Sequence, residues 1–311
     1  MTNNEHIPVL LNEVIEGLNI KEDGIYVDLT LGRAGHSSEI LKRIQKGFLY
    51  GIDQDKEAIE KSRKRLSEIG SNFEIIKSNF VNIKEILDER NIKEVDGVLM
   101  DLGVSSPQFD EGDRGFSYNS DASLDMRMDQ ENNPLTAKEI VNTYSFNELV
   151  RIFREYGDEK YAASIANNII KSRNIKPIET TFELVEIIKR SKPQKELKKI
   201  GHPAKQVFQA LRIEVNDELN VLRKAVNDIV KYLRPHGGRL AIITFHSGED
   251  KIVKKIFQEL SIEIGNRYDL PIKNEEKEYK EVNHKVITAS EEELKINHRS
   301  ASAKLRILER R

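Results

Sequence analysis

Three acidic residues directly follow apolar, strand-like segments in the first third of this 311-residue chain: Asp28, Asp53 and Asp101. The first opens the run Asp-Leu-Thr-Leu-Gly-Arg-Ala-Gly-His, in which Gly32 and Gly35 allow backbone to approach a ligand closely. Asp53 stands 21 residues after Gly32, where an acid can accept hydrogen bonds from both hydroxyls of an adenosine ribose. The spacing therefore predicts a nucleoside cofactor.

The glycines of this loop narrow the choice of nucleoside. A dinucleotide fingerprint needs G-x-G-x-x-G, whereas only Gly32 and Gly35 are glycines here. An acid such as Asp28 also suits a positively charged sulfonium and amino group better than a pyrophosphate. These details favour S-adenosylmethionine, while a dinucleotide site and an ordinary α/β turn remain alternatives.

A second loop, residues 101–109, reads Asp-Leu-Gly-Val-Ser-Ser-Pro-Gln-Phe. Enzymes that methylate amino groups of nucleic acids carry an acid or Ser, two prolines and an aromatic residue here, and this loop is similar, with Gln108 in place of the second proline. Cytosine's amine is a weak nucleophile, so acceptors must orient its N–H groups, and Phe109 could stack on an extruded base. A structural turn is the alternative. The predicted catalytic residues are Asp101, Ser105, Ser106 and Pro107.

Charge is distributed unevenly along a chain whose net charge is only -2. Residues 171–212 hold eleven lysines and arginines against four glutamates, and residues 295–311 hold six against one. Residues 101–131 hold eight acids against two arginines. Basic patches beside an acidic pocket would suit a site that binds a polyanion at its rim, although solvated helical faces explain each run about equally well.

The elements that position these loops alternate between strand and helix over the first hundred residues. Such alternation predicts an α/β fold with a parallel, doubly wound sheet. The predicted strands are 25–29, 47–53, 73–77 and 95–101, and the predicted helices are 37–45, 56–69 and 83–90.

Helical periodicity follows, at 145–154, 159–172, 181–190 and 204–232. We expect the apolar face of the last helix to pack on the sheet. Its polar residues Gln209, Arg212 and Asn216 could face RNA or the pocket, or simply be exposed. Strands return at 238–245, and segments 285–289 and 303–308 are predicted to close the sheet as a pair.

Several classes of function are excluded or disfavoured. Without cysteine the chain cannot form disulfides, thiolate zinc sites or a cysteine nucleophile. No apolar run approaches the ~20 residues of a membrane span, and no signal peptide is recognisable, so we expect a cytoplasmic protein. Metal-assisted hydrolysis is disfavoured because the histidines form no His-x-x-x-His pair and His246-Ser247 lacks the glycines of a nucleophile elbow.

Together these strings resemble the family of 16S ribosomal RNA cytosine-N4 methyltransferases, also called RsmH or MraW. The match runs along nearly the whole chain. The matching strings are 6–11, the Gly-Arg-Ala-Gly-His-Ser loop, Asp53, 101–110, 114–117, 124–129, 202–204, 208–219, 245–247 and 299–306.

The resemblance implies a class I S-adenosylmethionine-dependent methyltransferase (Rossmann-like) sheet with an inserted helical domain. We assign 1–112 and 206–311 to the methyltransferase domain and 113–205 to a helical substrate-recognition insertion. Ala34 stands where the family usually has Gly, and Gly248 and Lys251 where it has Leu and Arg. The implied donor-binding residues, to which the loop itself adds Gly32, are Ala34, Gly35, His36, Asp53, Phe80, Asp101 and Gln108.

The implied reaction is methylation of a cytidine N4 amine in 16S ribosomal RNA, by direct in-line transfer from S-adenosylmethionine. The absence of cysteine agrees with this, since methylation of the cytosine ring carbon commonly requires a thiolate. We expect 16S RNA or the small ribosomal subunit as partner, no membrane, and a homodimer as one state the sequence allows. A nicotinamide-dependent oxidoreductase and a non-catalytic ribosome-assembly binder are the alternatives.

Overall fold

A computed structural model describes residues 7–103, 114–261 and 277–311, and among them seven strands join into one sheet. The strands are β1 (Ile25–Asp28), β2 (Phe48–Asp53), β3 (Phe73–Lys77), β4 (Gly97–Asp101), β5 (Arg239–Thr244), β6 (Tyr279–Glu281) and β7 (Lys304–Arg310). Their order is β3-β2-β1-β4-β5-β7-β6. The first five run parallel, and β7 pairs antiparallel with both β5 and β6.

The helices follow in chain order. They are α1 (Leu11–Leu18), α2 (Gly35–Leu41), α3 (Lys56–Ser67), α4 (Ile83–Glu89), α5 (Ala137–Thr143), α6 (Phe146–Glu155), α7 (Ala162–Arg173), α8 (Thr181–Arg190), α9 (Gln194–Leu197), α10 (Lys205–Asn216), α11 (Glu218–Ile229), α12 (Ser247–Ser261) and α13 (Glu291–Ile296). Short 3₁₀ segments lie at Phe80–Asn82, Val230–Tyr232 and His298–Ser302. No helix within the described ranges is long and apolar enough to cross a membrane.

The chain divides into two compact units, and the first contains the sheet. It consists of Met1–Gly103 and Leu219–Arg311. Successive strand residues point to opposite faces, so Val98 and Met100 of β4 join one apolar layer while Leu99 joins the other. Burial on both faces explains why the parallel strands read as nearly continuous apolar runs. The predicted doubly wound parallel sheet is confirmed.

The second unit, Val104–Glu218, is helical where the structure describes it. Helices α5, α6 and α8 each begin with a capping box, in which a Thr or Ser side chain and a Glu three residues later satisfy each other's backbone N–H groups. The apolar faces of its helices share one core, which includes Phe153, Ile165 and Leu184.

The predicted helix 204–232 is in fact two helices. Asp217 adopts a left-handed backbone conformation, with φ of 49°, which ends α10 before α11 begins. The expected packing of the 204–232 apolar face on the sheet is wrong for α10, because Val207, Phe208 and Leu211 belong to the core of the helical unit. The second compact unit ends after Glu218, and the assignment of 113–205 to a substrate-recognition insertion stays a prediction.

The predicted strand 285–289 is wrong, whereas 303–308 corresponds to β7. Besides β5, the strand that pairs with β7 is β6, and Ile287 makes only an isolated bridge to Leu305. The side chain of Asn283 explains the difference. Its Oδ1 accepts the Ile307 N–H at 2.8 Å, and its Nδ2 donates to the Leu305 carbonyl at 3.1 Å, so it occupies hydrogen-bonding positions that a longer strand would use.

Candidate active site

The loop after β1 is shaped by Asp28, which is buried at its base. One carboxylate oxygen accepts the Thr30 N–H at 3.0 Å, and the other accepts the Ser37 hydroxyl at 2.7 Å. Between these contacts Gly32 and Ala34 have φ values of 50° and 56°. Burial raises the pKa of Asp28. Both carboxylate oxygens of Asp28 thus hold the loop in place. That Asp28 attracts a positively charged sulfonium stays a prediction.

Asp53 ends β2 and binds the same loop. Its Oδ2 accepts the Gly32 N–H at 2.8 Å, and its Oδ1 accepts the Asp55 N–H at 2.8 Å. Burial raises the pKa of Asp53 to about 6. Because each carboxylate oxygen can accept two hydrogen bonds, both retain capacity for the hydroxyls of a ribose.

The segment after β3 lies beside the end of β2. Ser78 donates its N–H to the Asp53 carbonyl at 3.0 Å, and Asn79 Nδ2 donates to Gln54 Oε1 at 3.3 Å. Asn79 also caps the 3₁₀ turn that begins with Phe80. Phe80 is half-buried and packs against one apolar layer of the sheet. Its predicted contact with adenine stays a prediction.

His36, in the first turn of α2, is held by the chain's N-terminal segment. Its Nε2 lies 2.8 Å from the Val9 carbonyl, which can only accept, so Nε2 carries the proton. Burial lowers the pKa of His36, which is therefore neutral at pH 7. Next to it, a Cβ on Gly35 would lie 2.5 Å from Pro8 Cγ, so this close packing requires glycine.

Asp101 ends β4 and has a buried carboxylate oxygen to spare. Its N–H donates to Thr30 Oγ1 at 2.6 Å, and its Oδ2 lies 3.7 Å from His36 Nδ1. Its Oδ1 is buried without a hydrogen-bond partner among the residues described. Burial, with a contribution from the charge of Glu249, raises the pKa of Asp101 to about 7. The neighbouring histidine is neutral and so does not neutralise this carboxylate.

Sequence reasoning missed Glu249, a buried acid at the start of α12. Its Oε2 accepts the N–H groups of Phe245 at 2.8 Å and His246 at 3.3 Å. Its Oε1 lies 3.1 Å from His246 Nε2. Glu249 thus holds the turn after β5 while its charge acts on Asp101. The available signal was an acid three residues after His246, at the spacing of a helix cap.

The predicted donor-binding residues that the structure describes all belong to the sheet unit: Gly32, Ala34, Gly35, His36, Asp53, Phe80 and Asp101. They follow β1 to β4, which are neighbours in the sheet. The remaining predicted site residues, Ser105, Ser106, Pro107 and Gln108, lie outside the described residues, and their roles stay predictions.

The polar residues of α10 have structural partners within the helical unit. Gln209 Nε2 donates to the Tyr156 carbonyl at 2.8 Å, and Asn216 Nδ2 donates to the Met126 carbonyl at 2.9 Å. Arg212 forms a two-contact ion pair with Glu218, at 2.7 and 2.9 Å. These contacts account for the polar side chains of α10 without any contact to RNA.

This edge of the sheet fits a ligand that brings several hydrogen-bond donors. Asp53 retains acceptor capacity, the free oxygen of Asp101 needs a donor, and Gly32 keeps the loop free of side-chain bulk between them. A nucleoside with ribose hydroxyls and an ammonium group has those donors. A pyrophosphate, in contrast, would meet two carboxylates and be repelled.

Comparison with known proteins decides the family. The model of the MraW methylase family matches residues 3–311. The chain belongs to the MraW methylase family. The resemblance found in the sequence is thereby confirmed. With the strand order and the reversed β7, it also confirms the predicted class I methyltransferase fold.

Relatives match over almost their full length. The chain is 55% identical over 308 residues to a protein of Exiguobacterium sibiricum, covering 98% of each. It is 53% identical over 310 residues to one of Mesoplasma florum, covering 99% of each. Both relatives are named "Ribosomal RNA small subunit methyltransferase H". A solved structure, a putative rRNA-methylase from Clostridium thermocellum, has a TM-score of 0.45 and 11% identity, covering 98% of this chain and 100% of that one.

Proposed function

We propose that this protein transfers a methyl group from S-adenosylmethionine to the exocyclic N4 amine of a cytidine in 16S ribosomal RNA. Membership of a methylase family supports the reaction class. The names of the relatives, which are 51–55% identical, support ribosomal RNA of the small subunit as substrate. The observation that carries the chemistry is Asp101, whose buried Oδ1 has no partner among the described residues at the edge that suits a nucleoside.

Asp53 and the loop from Gly32 to His36 would hold the donor. The Asp53 carboxylate would accept the ribose hydroxyls, and the loop would admit the ligand because Gly32 has no side chain. S-adenosylmethionine would supply an electrophilic methyl group. We propose that the N4 lone pair attacks this group directly as the methyl–sulfur bond breaks, without a covalent enzyme intermediate, so that S-adenosylhomocysteine is the leaving group and the amine proton passes to water.

Asp101 is our candidate for orienting the amine. When ionised, its free oxygen can accept an N–H of the cytosine amine and so direct the nitrogen lone pair. Its pKa of about 7 makes a substantial fraction ionised at neutral pH. Ser105, Ser106 and Pro107 complete the predicted catalytic loop. The cytoplasmic location and the homodimer stay predictions.

Mass spectrometry of nucleosides tests the proposal. Small-subunit RNA from cells that lack the protein should contain less N4-methylated cytidine, and the purified protein with S-adenosylmethionine should restore it. Unchanged N4-methylated cytidine in those cells would refute the substrate. Asp53→Ala provides the second test, because it should abolish both donor binding and methylation. Methylation that persists at the wild-type level with this variant would refute the role of Asp53, whereas a wild-type protein that binds RNA but leaves cytidine unmethylated would be a non-catalytic binder.

A further inference from the structure

Several exposed lysines of the helical unit have no acidic partner among the described residues, and four of them lie in the segments around residues 160 and 195–205. These four are Lys160, Lys195, Lys198 and Lys205, referred to below as the lysine surface. Within the described part of the chain, none of them has a carboxylate oxygen within 4.0 Å. Nearby acids are neutralised by other lysines: Glu196 pairs with Lys199 at 2.7 Å, and Glu186 with Lys189 at 2.8 Å. The four ammonium groups are therefore exposed without an ion-pair partner among the described residues.

Two contacts bring the turn before Lys160 against the start of α10, which begins with Lys205. A Cβ on Gly157 would lie 2.5 Å from the Gln206 carbonyl oxygen, so the two backbones touch. The Gln206 side chain also donates to the Asp158 carbonyl at 3.3 Å. Lys160 and Lys205 are therefore neighbours in space.

The segment that carries Lys195 and Lys198 lies beside the same turn. A hydrogen bond from Lys199 is the main cause that lowers the pKa of Glu196, and the charges of Lys160 and Lys192 lower it further. Helix α9, which contains Glu196, is thus within electrostatic range of the turn. The segments that carry the four lysines are therefore close together.

A buried ion pair fixes the shape of the loop. Lys192 Nζ donates to Glu159 Oε2 at 2.6 Å and to the Pro203 carbonyl at 2.7 Å. The side chains of Lys192 and Glu159 are only 6% and 1% exposed. One ammonium therefore ties both ends of the loop 192–203 to the turn that carries Lys160. The charges are presented by a rigid support, which lowers the entropy lost on binding.

We infer that the lysine surface docks the phosphate backbone of RNA. The inference rests on the proposed function, which requires the protein to hold a ribosomal RNA. Ammonium groups without partners attract phosphates as point charges and release counterions on contact, whatever the base sequence. Binding to a membrane surface is disfavoured, because it needs a whole apolar face. In the loop 192–203, Ile200 alone is a large apolar residue that is fully exposed.

Charge reversal tests the inference on the full-length protein. The variant K195E/K198E/K205E is titrated with a 16S ribosomal RNA transcript at several salt concentrations, by filter binding. We expect the affinity for RNA near 0.1 M salt to fall about 100-fold. The slope of log association constant against log salt concentration is negative, and its magnitude should become smaller by roughly two to three. Affinity for S-adenosylhomocysteine, measured by calorimetry, should remain at the wild-type value, which shows that the variant is folded.

The matched control is K64E/R65E/K254E, which reverses three exposed, unpaired charges of the sheet unit. It should bind RNA more tightly than the lysine-surface variant. Equal losses in both variants, or wild-type affinity and slope in K195E/K198E/K205E, would overturn the inference. So would binding of phosphatidylglycerol vesicles that depends on these lysines while RNA binding does not. Wild-type protein that binds RNA through this surface but leaves cytidine unmethylated would support docking and refute the proposed reaction.

Discussion

Glu293 accepts a hydrogen bond from the backbone N–H of Leu10 at 2.8 Å, although 283 residues separate them in the chain. Leu10 has a φ of 52°, a left-handed conformation that costs a non-glycine residue about 1–2 kcal/mol. The Ser300 hydroxyl donates to the same oxygen of Glu293. Because Val9 binds His36, this contact ties the end of the chain to the first loop of the active site.

Glu293→Ala should therefore weaken donor binding, although Glu293 is not one of the residues proposed to contact the donor. Without the acceptor, Leu10 can leave its strained conformation, and the segment that supports His36 loosens. We expect the dissociation constant of S-adenosylhomocysteine to rise about tenfold, as for loss of one hydrogen bond to a charged group. Glu293→Gln keeps an acceptor oxygen and should recover part of the affinity.

Calorimetry measures this effect, and Glu292→Ala is the control. Glu292 is exposed on the same helix, and its replacement should leave donor affinity unchanged. Equal affinities for Glu293→Ala and wild type would show that the N-terminal segment holds its position without this contact.

Donor affinity should fall on acidification because of Asp53. Burial raises its pKa to about 6, so below that pH the carboxylate becomes protonated and loses acceptor capacity for the ribose. We expect affinity for S-adenosylhomocysteine to be nearly constant above pH 7 and to decline between pH 6.5 and 5, at most about tenfold per pH unit. The decline should persist in Asp101→Asn and vanish in Asp53→Asn. A decline of the same size in Asp53→Asn would assign it to another group.

Local patterns in the sequence predicted the elements and acids that a single segment determines. Strands β1 to β5, and the positions of Gly32 in the loop after β1 and of Asp53 at the end of β2, are examples, since each depends on its own run of residues. The failures have long-range causes. Asn283 ends a strand by bonding to β7, and Glu293 acts on Leu10 from the other end of the chain. An isolated asparagine or glutamate carries no local signature of such a contact.

Asp101→Asn should reduce activity and stabilise the fold. The variant has no charged acceptor for the amine, so we expect kcat to fall about 100-fold. Wild-type kcat should rise with pH through about 7, as Asp101 ionises, and this rise should be absent from the variant. Methyl transfer to RNA at pH 6 to 8.5 measures both effects.

The effect of Asp101 on stability has a definite sign. Its folded pKa is raised, so between about pH 4 and 7 the folded state binds more protons than the unfolded state, and stability falls as pH rises. The side chain is 23% exposed, which moderates the loss. We expect the free energy of unfolding of Asp101→Asn to exceed that of wild type by about 2 kcal/mol at pH 8, and by less at pH 5. Asp23→Asn, at an exposed acid, should show no such pH-dependent gain. Urea unfolding at both pH values measures this difference, and a difference that is the same at pH 5 and pH 8 would contradict the account.

The pair Lys192–Glu159 gives the last prediction. Lys192→Met leaves the Glu159 carboxylate buried without its counter-charge, which typically costs about 3–5 kcal/mol. Replacing both partners, as in K192M/E159L, removes the uncompensated charge and should recover most of that loss. Lys189→Met breaks an exposed pair with Glu186 and should cost at most about 0.5 kcal/mol. Urea unfolding of Lys192→Met, Glu159→Leu and the double variant, each against wild type, gives the coupling free energy. A coupling near zero would mean that the ion pair does not hold the loop 192–203, and the lysine surface would lose its rigid support.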